Sequence, residues 1–325
     1  MKKNIAIYRY LILAVTLLVS SACSDLFKDD SDPEPRDEYL VSYELEKSYL
    51  PSFIERIFDN LVDDYPELAL LQDKVKHGVI IYSIKYNTTF KGENVVASGL
   101  ACVPIGEGPF PVMSYQNGTN TLHSEAPSVN PDRDLYLLLE FAASTGYIIA
   151  LPDYLGFGAS ENMFHPYLHE ESTAQTVVDM LRAVNELTTN WLETNAKDEL
   201  YLTGYSQGGW STMQVQKAIE ENYSDEFNLV ASSPAAGPYD LKFVHDHVVS
   251  QTSYPMPYFL GYLFNSYLNL GIVSVPPGKV FQQPYASKIT TIYDGSKSGD
   301  ELNAELTTTI AELFTSDYLA NYQTD

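Results

Sequence analysis

The segment Gly204-Tyr205-Ser206-Gln207-Gly208-Gly209 has the G-x-S-x-G spacing that presents a serine hydroxyl for chemistry. Its flanks supply the mechanism. ELYLT at 199–203 reads as a buried strand, and the residues from Gln207 onward read as a helix. A serine on a sharp strand-to-helix turn is held with its hydroxyl exposed, beside the free amides of a helix N-terminus. The chemistry this allows is nucleophilic attack through a covalent intermediate. The competing reading is a glycine-rich turn in which Ser206 only caps the helix. A nucleophilic serine also needs a base, so the chain must be searched for one.

The surrounding pattern supplies elements that can position this turn. GVIIYSIKYNTTF and VVASGLACVPI, joined by KGEN, read as a β-hairpin. Strand and helix then alternate: strands at 109–115, 147–154, 199–206 and 227–237, and helices at 134–144 and 172–187. In the last helix Ala174, Val177, Val178, Leu181 and Val184 share one face. Such alternation predicts an α/β fold with a mostly parallel sheet flanked by helices. Helical patterns are also expected at about 41–58 and 60–74. The sheet core is expected over 41–239. Residues 240–325 lack strand alternation, carry an aromatic-rich stretch from Tyr254 to Tyr267, and read as a helical lid region, incomplete at its C-terminal end.

The N-terminus reads as a targeting segment. Residues 1–22 have a basic start, a short apolar run and small residues ahead of Cys23. About ten apolar residues are too few to span a bilayer. The pattern resembles a bacterial lipoprotein signal, which implies cleavage before Cys23 and lipidation of its thiol. The alternative is an ordinary secretory signal with an incidental cysteine. Residues 23–40 are acidic and proline-containing and read as a disordered tether. The lysine and two acids after Cys23 resemble a surface-export signal, so the expected location is the cell envelope, as an outer-membrane lipoprotein. The formal net charge is −24, a surface that repels phosphates and argues against a nucleic-acid partner. Cys102, the other cysteine, lies in an apolar strand pattern and reads as a small buried hydrophobe.

Four segments taken together, GYSQGG, PVMSYQNGTNT, LPDYLGFG and HPYLHEEST, resemble the α/β-hydrolases, and within them the secreted lipase/esterase type. The resemblance covers roughly residues 75–325. It implies a serine hydrolase that cleaves carboxylic esters through an acyl-enzyme, with no cofactor and a small-molecule ester or lipid as substrate. It implies Ser206 as nucleophile and an oxyanion hole made by the backbone amides of Gln207 and Thr119. Many members carry His-Gly-x where this chain has Asn117-Gly118-Thr119; a plain Asn-Gly turn is the alternative there. Asp153 and Tyr154 are expected to support the site, and His165 and His169 to be loop or helix-start residues. No metal site can be assembled around the two histidines.

The family order is serine, acid, histidine, the acid after the seventh strand and the histidine after the eighth. Six strands are counted up to residue 237. ITTIYDG at 289–295 could form a seventh, ending at Asp294. After Ser206 the sequence contains only His245 and His247. Three explanations compete: a chain whose acid and histidine lie beyond Asp325, an inactive hydrolase, or an irregular base at His245 or His247. The first is expected, with the last strands absent and turnover of short esters barely above background. Two further readings stay open: a serine peptidase of the same fold, and a surface binding lipoprotein on an inactive scaffold.

Overall fold

The computed structural model describes residues 37–192 and 194–322. The signal segment, Cys23 and most of the expected tether lie outside the described residues. Seven strands form one mixed sheet in the order β1-β2-β3-β5-β4-β6-β7. They are β1 (Leu40–Tyr49), β2 (Val79–Phe90), β3 (Glu93–Pro104), β4 (Phe110–Gln116), β5 (Ile148–Pro152), β6 (Ala196–Tyr205) and β7 (Asn228–Ala235). β1, β2, β3 and β5 pair antiparallel in succession. β5, β4, β6 and β7 pair parallel. Parallel pairing brings the C-terminal ends of β4, β5 and β6 to one edge, where open α/β sheets carry their sites.

Helices cover both faces. α1 (Pro51–Leu61), the single turn α2 (Ala69–Gln72) and α3 (Asp134–Ala142) lie on one side, sealing Val79, Ile81, Leu100, Ile149 and Leu151 under Ile54, Phe58 and Phe141. α4 (Glu170–Glu186) and α5 (Gln207–Asn222) lie on the other. α4 starts with His169 as its N-cap, whose ring accepts from the Ser172 amide, followed by Glu170 and Glu171 in the first turn. Its predicted apolar face is buried against the sheet.

After β7 the described chain is helical. It runs through α6 (Leu241–Val249), α7 (Tyr258–Leu270), α8 (Pro277–Val280), α9 (Tyr285–Ile289), α10 (Gly299–Ala304), α11 (Ile310–Leu313) and α12 (Ser316–Asn321). These helices enclose their own core around Phe281, Ile289, Leu302 and Phe314. A small cluster of Tyr167, Leu168, Trp210 and Tyr262 packs α7 onto the sheet domain beside the Ser206 turn.

The structure corrects three sequence expectations. Residues 40–49 form a strand and not a helix, because β2 offers an open edge along its whole length. Pairing there overrides the local helix preference of Glu44-Leu45-Glu46-Lys47. The expected tether ends earlier than residue 40: the amides of Glu38, Tyr39 and Leu40 all donate to the Glu186 carboxylate, which leads the chain into β1. Residues 289–295 are not a seventh strand. Ile289 closes α9, Gly295 turns at a φ of 80°, and the β-pairing found here among the described residues is one isolated antiparallel bridge, Leu122 with Ser296. The seventh strand is β1, at the opposite edge.

Candidate active site

β6 ends at Tyr205 and α5 begins at Gln207, so Ser206 alone makes the turn. Its backbone sits at φ 59°, ψ −122°, a conformation that costs a non-glycine residue about 1–3 kcal/mol. Surrounding contacts enforce it. The Ser206 amide donates to Ala235 O of β7 at 2.9 Å, and its carbonyl receives the Trp210 amide at 3.1 Å. The glycines give the turn its room. A Cβ on Gly208 would run into the Gln116 carbonyl, and one on Gly204 into the carbonyl of Gly208. Ser206 is half-buried, at the positive end of the sixteen-residue α5.

The loop after β4 lies against this turn. Gln116 is fixed by its own side chain, which donates to Ser114 Oγ at 2.7 Å and accepts from Thr212 Oγ1 of α5 at 2.8 Å. Asn117 donates from Nδ2 to Pro152 O at 2.7 Å, and its carbonyl accepts from Tyr154 Oη at 3.2 Å. Asn117 thus ties the β4 loop to the end of β5. Thr119 follows, its hydroxyl 3.0 Å from Tyr167 Oη.

The Asp153 carboxylate is buried and accepts from Ser98 Oγ (2.5 Å), Ser128 Oγ (2.5 Å) and the Ser128 amide (2.9 Å). Burial raises its pKa, and these donors oppose the rise. Asp153 is consumed in holding the loop after β5. Tyr154, at a φ of 68°, is held there with it.

Residues 134–247 match the family model of the Prolyl oligopeptidase family. A Legionella pneumophila protein assigned as a hydrolase is 30% identical, the match covering 89% of this chain and 76% of that one with a TM-score of 0.78. This chain belongs to the α/β-hydrolase superfamily. The rice cell wall degrading esterase LipA from Xanthomonas oryzae is 28% identical to this α/β-hydrolase, over 90% of this chain and 76% of the esterase, with a TM-score of 0.73. A ligand-bound form of that esterase gives a TM-score of 0.74 at the same identity. Candida antarctica lipase A shares the fold at 16% identity, with 87% of this chain and 61% of the lipase covered and a TM-score of 0.59. No curated protein matches the chain.

The histidines of this α/β-hydrolase have other partners. His165 is buried, with Nδ1 2.7 Å from Leu155 O and Nε2 2.9 Å from Gln207 Nε2. Burial lowers its pKa to about 4, only partly offset by the Leu155 bond, so the ring is neutral at pH 7. His169 serves as the α4 cap described above. His245 lies between Asp246 Oδ1 (3.1 Å) and Tyr318 Oη (2.7 Å), and His247 stacks on Phe243. Cys102 is fully buried, and burial pushes its thiol pKa well up. Among the described residues no group of three His, Cys, Asp or Glu side chains could hold a metal ion. A cavity of about 880 Å³ runs between α4 and α5 beneath Tyr239 and Tyr267. Neither Ser206 nor Thr119 lines it, so it is not where the serine would react.

The pairings of His165 with Gln207 and of Tyr167 with Thr119 escape sequence reading. They join residues 42 and 48 positions apart. The available signal was the polar, aromatic HPYLHE loop ahead of α4, whose partners nothing local reveals.

Proposed function

We propose that this α/β-hydrolase is a serine hydrolase that cleaves carboxylic esters through an acyl-enzyme, with Ser206 as the nucleophile. The observation that carries the reading is the strained Ser206 backbone, alone between β6 and α5, in a chain similar to an esterase over most of its length. Ser206 Oγ attacks the ester carbonyl carbon, and negative charge develops on the carbonyl oxygen. The backbone amides of Gln207 and Thr119 receive that charge. The C–O bond to the alcohol then breaks, the alcohol leaves with a proton, and water hydrolyses the acyl-serine. The proton lost by Oγ must pass to a base. Both ring nitrogens of His165 and of His245 are engaged elsewhere, His169 holds the start of α4 through its Nδ1, and none of the three is assigned that role.

The substrate is a small-molecule ester or lipid, and the helical region from α6 onward is read as the lid over it. The basic N-terminus and Cys23 support lipid anchoring at the cell envelope. A serine peptidase is the second reading, favoured by the Prolyl oligopeptidase family match.

The test is a fluorophosphonate probe on the native protein. Labelling that disappears in Ser206→Ala is the expected result, and labelling that survives the substitution removes Ser206 as nucleophile. A panel of ester and peptide substrates then separates the two readings.

A further inference from the structure

The segment His165-Pro166-Tyr167 touches both halves of the proposed oxyanion hole. His165 Nδ1–H donates to the Leu155 carbonyl at 2.7 Å, which can only accept. In the neutral ring Nε2 is therefore the acceptor, and Gln207 Nε2 donates to it at 2.9 Å. Two residues on, the Tyr167 hydroxyl bonds Thr119 Oγ1 at 3.0 Å. Gln207 and Thr119 are the two residues whose backbone amides the proposed mechanism aims at the oxyanion.

The segment is tied down on several sides. The Tyr167 amide donates back to His165 O at 2.8 Å, closing a tight turn over Pro166. His165 and Tyr167 are 7% and 4% exposed, so water does not compete for their bonds. The Tyr167 ring stacks on Tyr262 of α7 (centroids 4.6 Å apart, planes 9° apart), and Tyr262 stacks in turn on Tyr293 (5.0 Å, 6°).

We propose that His165 and Tyr167 are positioning residues that fix the two oxyanion donors at once, His165 through the Gln207 side chain and Tyr167 through the Thr119 side chain. This inference rests on the Ser206 reading above. Donor placement matters steeply, since a misplacement of about 1 Å can cost on the order of a hundredfold in rate. The helical region after β7 then contributes to the chemistry from a distance, because the tyrosine stack seats Tyr167.

The test uses the native full-length protein and an ester substrate. Tyr167→Phe keeps the ring and its stacking but removes the hydroxyl, and Thr119→Val keeps the shape and the backbone amide. Each is expected to lower kcat by about ten- to a hundredfold with KM within about twofold. The double variant is expected to match either single one, because both remove the same bond. His165→Leu is expected to lower kcat similarly, and His165→Gln, which returns an acceptor near the Nε2 position, to recover most of it. Thermal unfolding is followed in parallel; if Tyr167→Phe melts early, Thr119→Val carries the test alone, since it leaves the stack intact. Unchanged kcat in Thr119→Val and His165→Leu, in a protein whose labelling requires Ser206, would overturn this inference and leave the nucleophile standing. Labelling that does not require Ser206 would overturn both.

Discussion

Asn117 and Pro152, the first residue after β4 and the last residue of β5, are joined by a side-chain bond of 2.7 Å from Asn117 Nδ2 to the Pro152 carbonyl. It spans 35 residues of sequence and closes the gap between two parallel strand ends at the edge where Ser206 sits. An asparagine therefore does at this position what a ring N–H could also do: it donates from the β4 loop to a neighbouring strand end. The loop's hydrogen bonding is satisfied without a histidine.

Asn117→Ala is expected to lower stability by about 1–3 kcal/mol, because Asn117 is 2% exposed and the Pro152 carbonyl loses its donor. Asn117→Asp should be worse, since a carboxylate would face that carbonyl. With Gly118 and Thr119 released, ester turnover should fall by about ten- to a hundredfold. Denaturant melts and steady-state kinetics on the two variants check this. A loss of stability with unchanged turnover would show that the loop does not need this tie to place Thr119.

Glu140 sets a pH dependence unrelated to catalysis. It is fully buried on α3, 3.3 Å from Lys47 Nζ of β1, with Lys47 also held by Asp132 at 2.8 Å. Burial raises its pKa to about 7, against the pull of Lys47. The unfolded chain releases this proton near the ordinary glutamate pKa, while the folded chain holds it until about pH 7. Stability from this group is therefore greatest at acid pH and falls as pH rises from about 4.5 to 7, by on the order of 3 kcal/mol in all. Glu140→Gln should remove that fall, so that the variant gains on the parent between pH 5 and pH 8. Urea melts at the two pH values measure it; an equal gap between parent and variant at both would refute the assignment.

What could be read from the sequence was what local pattern decides. The Ser206 turn is written in consecutive residues: apolar alternation before it, glycines around it, a helix after it. The β2–β3 hairpin and the buried face of α4 are legible for the same reason. β1 is not legible locally because its own residues prefer a helix, and only the open edge of β2, some 40 residues away, decides otherwise. The stretch 289–295 carries β-branched and aromatic residues suited to a strand but meets only an isolated bridge beside it, Leu122 with Ser296. It becomes a turn whose Tyr293 hydroxyl donates to Tyr258 O at 2.9 Å. At the site, His165 could be placed in a loop but not matched to Gln207, because α4 and β6 intervene in sequence and only the parallel sheet brings them together.

His245 and His247 follow Ser206 in the order a triad histidine would, yet their surroundings give them other work. His245 has both ring nitrogens within hydrogen-bond distance of partners, Asp246 on one side and Tyr318 on the other, and its ring meets Tyr318 edge-on at 5.9 Å. It thus joins α6 to α12. His247 stacks in near-parallel with Phe243, which is 68% exposed. A base for Ser206 needs a free nitrogen facing the hydroxyl. His245→Ala should therefore lower the melting midpoint by the equivalent of about 1 kcal/mol while fluorophosphonate labelling of Ser206 stays within about twofold. His247→Ala should change neither. Labelling lost in His245→Ala with the melting midpoint unchanged would instead make His245 the base, and would mean that α6 moves to the serine before reaction.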